Sequence, residues 1–367
     1  MHDLHAHRGA EITVCHVYHR EIMQRYGAGN WKDIMGRKIV LSDLGVSSYA
    51  LEVEAEKDLL VHDFGGTTDV LLEYSWWGKA LGRLRQIYPW LRFHVRTHNA
   101  EALQKLHRFE IKGSNLRSAI ENARATLEAL RQDWRCGQVA DTLLGISDWD
   151  NRHYWRYFTP HRKMRYLPYF VPWPLLKCES KPRSWAERSN SVVCMPWGHD
   201  RIGRASIARF RLMARHLDAP AHKDGWAFKM TRGIVDRDGG ENLDGLITSV
   251  DGAEPWELLC GVRAVAVLTH LGFGTKTTIT DGLAAGCHVL IDERLARRLP
   301  AEISSACMVL SFRSLPRPDA LMARLREPPC GAGLNERFRR QAQEQLRVCL
   351  GGGGNKAMPL AAQEAAT

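Results

Sequence analysis

Long apolar runs are missing from this sequence of 367 residues. A helix that crosses a bilayer needs about 20 consecutive apolar residues. No run in the chain approaches that length, so we predict no transmembrane segment. Residues 1–7 also lack the apolar stretch that a secretory signal peptide requires.

Paired cysteines are missing as well. No two of the nine cysteines form a C-x-x-C pair, which argues against a zinc knuckle and against a disulfide framework. Several lie in apolar, strand-like runs, where a cysteine behaves as a small hydrophobic residue. We therefore expect a cytoplasmic protein in a reducing environment. The cysteines are Cys15, Cys136, Cys178, Cys194, Cys260, Cys287, Cys307, Cys330 and Cys349.

The length of the chain and its net charge limit the expected number of domains and the kind of partner. The chain is longer than one hydrophobic core usually supports, so two domains are expected. Its 51 basic and 41 acidic residues give a formal net charge of +10. A basic surface suits an anionic partner, such as nucleotide phosphate, a lipid head group or nucleic acid. Charge alone does not choose among these three.

Short apolar runs alternate with longer helical patterns, which is typical of βα units on parallel sheets. We predict helices at 101–107, 115–135 and 206–216. Strands are predicted at 11–16, 58–62, 91–96, 142–147, 191–196, 226–230, 264–269, 288–291 and 308–312.

The domain boundary is predicted in the segment 166–174, which carries three prolines. Proline neither continues a helix nor sits in a central strand, so we interpret this segment as a linker. The predicted N-terminal domain is 1–172 and the C-terminal domain is 173–350. The tail 351–367 has four successive glycines and few apolar residues, and we expect it to be disordered.

The strongest local pattern spans residues 265–291 and predicts a strand, a glycine turn, a helix, a glycine stop and a strand. Gly272 and Gly274 allow close approach of the backbone to a ligand. The helix that follows offers backbone amides to a phosphate, and its dipole favours an anion there. The hydroxyls and the positive charge at this tip come from Thr275, Lys276, Thr277 and Thr278.

This segment resembles the nucleotide-sugar-binding segment of retaining GT-B glycosyltransferases, which reads Glu-Gly-Phe-Gly, a second Glu, then Ala-x-Ala-Gly and a strand. The matching residues are Gly272, Phe273, Gly274, Ala284, Ala285 and Gly286. Asp281 stands near the second Glu, which implies a contact with the ribose. Two departures are that Leu271 replaces the first Glu and that the interval is about two residues longer.

A second donor-binding element follows the strand predicted at 191–196. In the family a Gly-Arg pair and a Lys face the diphosphate there, and by resemblance Gly198, Arg201 and Arg204 take these places. Arginine presents a fixed fork of donors that suits phosphate oxygens. The alternative is that both arginines lie solvated on the outer face of a helix.

On the acceptor side, a strand ends in His98, Asn99 and Glu101. Ligands collect at the carboxyl ends of parallel strands. A His-Asn-x-Glu sequence faces the cleft in the family, which implies that His98 and Glu101 lie near the reacting centre and Asn99 near the acceptor. Alternatively, Asn99 is a helix N-cap. Asp148 also follows a strand, and we expect it to line the cleft.

The first residues resemble the end of the family's first helix, because residues 7–14 are similar to its Arg-Gly-His-Glu-Val-Thr-Val. The expectation is that the first strand and its glycine-rich loop are absent. His2, His5 and His7 mimic a metal cluster, but we assign no metal and no cofactor. The nucleotide sugar is expected as a substrate.

Residues 151–187 carry eight Arg or Lys, two Glu and nine interleaved aromatic residues. Such a segment suits an anionic membrane surface, where a lipid-linked acceptor would lie, or a nucleic acid whose bases stack on the rings. The interpretation that we slightly favour is packing of the aromatics at the domain seam. Peripheral contact with the inner face of the membrane remains open, and nucleic acid is the less favoured partner.

The resemblance implies a GT-B fold, with two facing Rossmann-like domains, and a hexosyl-type glycosyltransferase. It implies transfer from a nucleoside-diphosphate sugar to a glycan, a lipid-linked or a small-molecule acceptor, with retention and without a metal. The alternatives are a nucleotide-sugar epimerase, a non-catalytic nucleotide-sugar-binding relic and an RNA-binding protein. Leu271 and the missing start favour the relic, whereas an epimerase would need an acid and base pair in the cleft, which the sequence does not identify.

Overall fold

The computed structural model describes the chain over most of its length from residue 64 onward, and over three strands before it. The described residues are 12–19, 39–41, 46–53, 64, 67–106, 116–171, 181–196, 201–231, 245–250, 254–270, 274–330 and 333–351. The second strand predicted from the sequence, 58–62, and the tail after residue 351 lie outside them.

The N-terminal half contains two described sheets. Strand β3 pairs in parallel with β1 and antiparallel with β2, and a separate parallel sheet has the order β4-β5-β6-β7. The strands are β1 (Ile12–His19), β2 (Ile39–Leu41), β3 (Val46–Val53), β4 (Asp69–Glu73), β5 (Arg92–Thr97), β6 (Thr142–Gly145) and β7 (Met164–Tyr166). The helices are α1 (Gly78–Ile87), α2 (Glu101–Leu106), α3 (Leu116–Val139) and α4 (Asp148–His153).

The C-terminal half forms a parallel sheet whose described strands have the order β10-β9-β8-β11-β12-β13. The strands are β8 (Ser189–Cys194), β9 (Ala227–Thr231), β10 (Ile247–Val250), β11 (Val262–Val267), β12 (His288–Asp292) and β13 (Met308–Leu310). The helices are α5 (Arg201–Lys223), α6 (Pro255–Gly261), α7 (Thr277–Ala284), α8 (Glu293–Ala296), α9 (Ala301–Ala306), α10 (Pro318–Arg326) and α11 (Leu334–Gly351).

The predicted alternation of strands and helices is confirmed, with shifts of a few residues at the ends of elements. Strands β2, β3, β4, β7 and β10 were not predicted. Charged residues begin and end β4, and β7 has three residues and ends at Tyr166, where the predicted linker begins, so neither shows a clear apolar pattern. Helix α5 is longer at both ends than the predicted 206–216, and it therefore includes Arg201 and Arg204.

Both faces of the C-terminal sheet are buried, as parallel sheets require. One face packs against α5 and α10 through Phe210, Leu217 and Leu325, which are fully buried. The other face packs against α7 and α11 through Ile279 and Phe338. Helix α7, which carries the predicted phosphate-binding tip, is thus held against the sheet by its apolar side.

The last helix also packs on the N-terminal half. Ala342 and Leu346 of α11 are buried in one cluster with Leu144 of β6 and with Leu167, which follows β7. The opposite face of that sheet is covered by α1 and α3. Helix α11 therefore connects the two halves, although its residues fall within the predicted C-terminal domain.

A buried arginine fixes the carboxyl end of α7. Arg188 donates hydrogen bonds to the carbonyl oxygens of Ala285, Gly286 and Val262. A cation at this end is stabilised by the helix dipole, and the last carbonyls gain the partners that the helix cannot supply. Gly286 has a φ of 74°, which confirms its predicted position just after the helix, where glycine adopts this conformation without strain.

We predict that Arg188→Ala lowers the free energy of unfolding by about 3 kcal/mol, because it leaves several buried carbonyl oxygens without a partner. Urea denaturation followed by circular dichroism measures this change. Arg297→Ala, at an exposed position, is the control and should change stability by less than about 0.5 kcal/mol. Equal stability of the two variants would contradict the capping role of Arg188.

Asp150 lies buried where the two halves meet. Among the described residues neither of its carboxyl oxygens has a partner in full hydrogen-bonding geometry. Burial raises its pKa to about 6, and the nearby backbone amides of Gly274 and Ala100 and the charge of Arg298 act against this rise. The folded chain therefore holds this proton more tightly than the unfolded chain does.

The raised pKa of Asp150 predicts a pH dependence of stability. Because the folded pKa lies above the unfolded value, the contribution of this group to stability is highest below about pH 4 and falls as the pH rises through 6. Asp150→Asn removes this fall. From pH 4 to pH 7 the stability of the variant relative to the wild type should rise by about 2 kcal/mol. Urea unfolding across this range measures it, and parallel pH profiles would contradict the assignment.

Candidate functional site

The tips of α5 and α7 lie on the same edge of the C-terminal sheet. Strands β8 and β11 are neighbours and run parallel, and each leads into the helix that follows it. In such sheets ligands bind beyond the carboxyl ends of the strands. The first turn of α5, with the exposed Arg204, and Lys276 before α7 are therefore at the same edge.

The tip of α7 has the features expected of an anion site. Lys276 occupies the N-cap position, and its side chain makes no capping hydrogen bond. Thr277 and Thr278 form the first turn and are partly exposed. The amides of a helix start, a helix dipole and an ammonium group at one point favour a phosphate.

The two residues before Lys276 contact the N-terminal half. The Thr275 hydroxyl donates a hydrogen bond of 2.9 Å to the carbonyl oxygen of Ile146. Gly274 has a φ of 79°, and a Cβ atom there would lie 2.2 Å from Asn99 Oδ1 and 2.7 Å from the His98 carbonyl oxygen. Gly274 and Thr275 thus close the seam between the halves, and Lys276, Thr277 and Thr278 are left nearest to the proposed anion.

Asp281 lies further along α7 and faces the segment that we predicted as the linker. Tyr169 donates a hydrogen bond of 3.0 Å to its Oδ1 atom. Burial raises the pKa of Asp281 to about 6, against the effect of this hydrogen bond. Tyr169 was not singled out in the sequence, because the prolines around it indicated only a connection.

Across the seam, β4 and β5 bring three polar side chains together. Their parallel register pairs Glu73 with Arg96. Glu73 Oε2 lies 2.6 Å from His98 Nε2, and its Oε1 accepts a hydrogen bond of 3.3 Å from Arg96. Burial raises the pKa of Glu73, but His98 and Arg96 outweigh it and hold the pKa below its ordinary value. The structure thus presents an ionised carboxylate bound to the predicted catalytic histidine.

Tyr74, directly after β4, has a strained backbone. Within the described ranges it is the non-glycine residue with a positive φ, at 69° with ψ at 154°. A side chain in this region costs about 1–3 kcal/mol and is found mostly at functional sites. Glu73 and Tyr74 were missed because β4 was not predicted, so its carboxyl end was not searched for site residues.

The remaining acceptor-side predictions lie near this group. Glu101 is buried in the first turn of α2, and Asn99 donates to it at 3.4 Å. In the first turn of α2 the Ala102 amide donates a hydrogen bond of 3.2 Å to Asp133 of α3. Asp148 lies in the first turn of α4 and pairs with Arg152 at 2.7 Å.

Several predicted donor residues cannot be placed. Gly198, Gly272 and Phe273 lie outside the described residues, as does Leu271. Arg201 begins α5, but its side chain is not among those described. The roles of all site residues therefore stay predictions, and the described geometry brings Lys276, Thr277, Thr278 and Asp281 to one helix near Glu73 and His98.

Residues 151–171 of the basic aromatic segment mostly pack inward. Tyr154 and Trp155 are buried, and Phe158 packs beside them. The cations differ, because Arg156 is exposed while Lys163 donates to backbone carbonyls. These three rings pack inside the N-terminal half, whereas Tyr169 and Phe170 contact the C-terminal half, so packing at the seam describes only part of the segment. In the described part of the chain, no helix meets the length and apolarity that crossing a bilayer demands, and no three potential ligands are grouped for a metal.

No family model matches the chain, and no curated protein matches it. Solved structures do resemble it. A sucrose-phosphate synthase from Thermosynechococcus elongatus is 13% identical with a TM-score of 0.57, and the match covers 93% of this chain and 98% of that one.

Two further neighbours have the same architecture. A trehalose-6-phosphate protein from E. coli bound with UDP-2-fluoro glucose is 9% identical with a TM-score of 0.57, over 95% of this chain and 94% of that one. A UDP-forming alpha,alpha-trehalose-phosphate synthase from Burkholderia xenovorans, in complex with glucose-6-phosphate, is 13% identical with a TM-score of 0.52, over 92% and 96%. The chain therefore has the GT-B fold, a mixed α/β architecture with parallel sheets in both halves.

Proposed function

We propose that the chain is a hexosyl-type glycosyltransferase that moves a sugar from a nucleoside-diphosphate sugar to an acceptor hydroxyl. The observation that carries this proposal is the tip of α7 with Lys276, which faces the Glu73–His98 pair across one seam. Cations and helix amides stabilise a leaving diphosphate, and a histidine held by Glu73 positions a sugar hydroxyl opposite them.

The donor is proposed to bind with its diphosphate on the first turn of α7. Lys276 and the amides of Thr277 and Thr278 balance the phosphate charge, and Arg204 approaches from α5. Asp281, one turn further along, accepts a hydrogen bond from a ribose hydroxyl, and its other contact is with Tyr169. Arg201, Gly198 and the loop of Gly272 and Phe273 complete this site in the proposal.

The reaction breaks the bond between the anomeric carbon and a diphosphate oxygen, and forms a bond to the acceptor oxygen. The proton of the acceptor hydroxyl leaves with the diphosphate. Fixed dipoles and cations that stabilise the leaving charge lower the barrier, since they need no reorganisation during the reaction. On this proposal the side chains listed above supply that charge without a metal, and the configuration of the sugar is retained.

His98 and Glu101 are proposed to position the sugar and the acceptor. The hydrogen bond to Glu73 fixes the imidazole of His98, and stacking on Tyr74 fixes its plane. An imidazole held in this way contacts a sugar hydroxyl with little loss of freedom on binding. Asn99 and Asp148 lie at the same strand ends and line the acceptor side.

The structural neighbours support this proposal through the ligands that they bind. One is bound with a UDP sugar and another, described as UDP-forming, with glucose-6-phosphate. A nucleotide-sugar donor is thus compatible with the fold, and nothing in these neighbours favours the epimerase or the non-catalytic alternative. We also propose a cytoplasmic location, with any membrane contact peripheral.

We predict that Lys276→Ala and Asp281→Ala each weaken nucleoside-diphosphate binding by about tenfold or more, because each removes a charged or hydrogen-bonding partner. Isothermal titration calorimetry with several nucleoside diphosphates measures this. Lys223→Ala, an exposed lysine at the far end of α5, serves as the control. Unchanged affinity in both variants, with the fold intact, would refute the donor site.

We predict that His98→Ala lowers the rate of sugar transfer by about 100-fold, while the affinity for the nucleoside diphosphate stays close to that of the wild type. The reason is that His98 contacts the reacting sugar and not the nucleotide. The exposed His161, changed to Ala, is the matched control. Equal loss in both variants, or loss of nucleotide binding in His98→Ala, would place His98 outside the reacting centre.

A further inference from the structure

Helix α3 exposes a row of apolar side chains on its outer side. Its inner side is buried through Ala129 and Cys136, which pack in the core of the N-terminal half. On the outer side Leu116 is 78% exposed and Trp134 is 52% exposed. Single exposed apolar residues are ordinary, whereas a contiguous row of them marks an interaction surface. The row, called the outer stripe here, consists of Leu116, Ile120, Ala123, Leu127, Leu130 and Trp134.

The spacing of the outer stripe is that of a coiled coil. Its successive members are four, three, four, three and four residues apart, which is the a/d pattern of heptad repeats. At the helical turn of 3.6 residues the six positions fall within about 80° of the helix circumference and extend over about 27 Å. A stripe as narrow as this suits one partner helix.

The charged residues beside the outer stripe all lie on one side of it. Arg117, Arg124 and Arg131 recur every seven residues, at the e positions of the heptad. Glu121 and Glu128 lie next to them and form exposed ion pairs, with Arg117 at 3.1 Å and with Arg131 at 3.9 Å. Exposed pairs within one helix are weak, so these side chains change partners at little cost.

This mixed charge favours a protein partner over a membrane. A helix that lies on an anionic bilayer has a broad apolar face with basic residues along its polar side. The outer stripe is narrow, and Glu121 and Glu128 lie on its charged side. A partner that offers both arginine and glutamate is the better complement.

A second copy of α3 offers such a complement. The spacing of the outer stripe is the same from either end, so two copies match when they lie antiparallel. Each a position then lies level with a d position of the other copy, as in an antiparallel coiled coil. The level pairs are Leu116 with Trp134, Ile120 with Leu130, and Ala123 with Leu127.

The same register also brings opposite charges together. Charged residues of the two copies lie within about 3 Å of each other along the helix axis. Two of the three kinds of pair join an arginine to a glutamate, and the pair of like charge lies at the ends. These pairs are Arg124 with Glu128, Arg131 with Glu121, and Arg117 with Arg135.

We propose that the chain forms a symmetric dimer in which the α3 helices of two copies pack antiparallel along the outer stripe. A two-fold axis makes every contact occur twice, so a short stripe supplies twelve apolar side chains. Because α3 is already folded and held by its buried side in each copy, association orders little additional structure. This inference is independent of the proposed transferase function.

The test compares Leu127→Glu with Leu212→Glu in the full-length chain. Both leucines are 55% exposed, but Leu212 lies on α5 in the C-terminal half. Sedimentation equilibrium over micromolar concentrations should give the wild type twice the 41.6 kDa mass of one chain. Leu127→Glu brings a carboxylate into the apolar contact from both copies and should weaken the dimer about 100-fold or more. Leu212→Glu should leave it unchanged.

A charge exchange tests the register. Arg124→Glu places a carboxylate opposite Glu128 of the second copy and should weaken the dimer about tenfold. Adding Glu128→Arg to the same chain exchanges both partners and should restore the affinity of the wild type. If the second change fails to restore it, the antiparallel register is wrong.

Three results would overturn the dimer: a monomeric wild type, an unchanged dimer in Leu127→Glu, or equal weakening by Leu127→Glu and Leu212→Glu. Phosphatidylserine vesicles are sedimented with the same samples, and a monomer that binds them through Leu127 would assign the outer stripe to a membrane. Circular dichroism checks the fold of every variant. Should Leu127→Glu fail to fold, the charge exchange at Arg124 and Glu128 still decides.

Discussion

The hydrogen bond from the Thr275 hydroxyl to the Ile146 carbonyl oxygen is the contact on which the arrangement of the site depends. It joins the loop before α7 in one half to the end of β6 in the other. Gly274, beside it, leaves no room for a side chain against His98 and Asn99. The distance between the tip of α7 and His98 is therefore set by direct backbone and side-chain contact between the halves.

Two further polar contacts, made by Arg188 and Tyr169, stabilise the position of α7. Arg188 fixes the carboxyl end of α7, so the helix is constrained at both ends. Tyr169 ties the segment after β7 to Asp281 in the middle of that helix. Each of these is a polar contact in a buried or half-buried place, where a hydrogen bond is stronger than in water and costly to leave unmade. Helix α7 is therefore held by polar contacts before its start, along its length and at its end.

The sequence predicted much of the C-terminal half because strong local signals fix it. Apolar strands bounded by glycine, a threonine-rich helix start and Gly286 after the helix each have a local physical cause. The site residues of the N-terminal half were harder to predict from the sequence, because β4 has a charged residue at each end. That Glu73 pairs with Arg96 follows only from the register of β4 and β5. His98 was found from the polar cluster after β5, whereas Glu73 and Tyr74 needed the three-dimensional pairing.

Contacts between distant parts of the chain could not be predicted at all. Nothing local to Tyr169 indicates its contact with Asp281, and nothing local to Ala102 indicates that its amide donates to Asp133. Such choices depend on which surfaces meet after the sheets have formed. Local propensity also gave no sign that Thr275 would contact protein, since its position at a helix start is equally suited to a phosphate.

The course of α11 has a consequence for how the chain acquires its structure during synthesis. The second face of the sheet that carries Glu73 and His98 is covered by Ala342 and Leu346, which are made almost two hundred residues after β6. Until that helix has left the ribosome, Leu144 and Leu167 have no partner from α11 to shield them from water. The N-terminal sheet therefore stays partly exposed to water during synthesis. The covering of its second face and the assembly of the cleft then take place in the same late folding step.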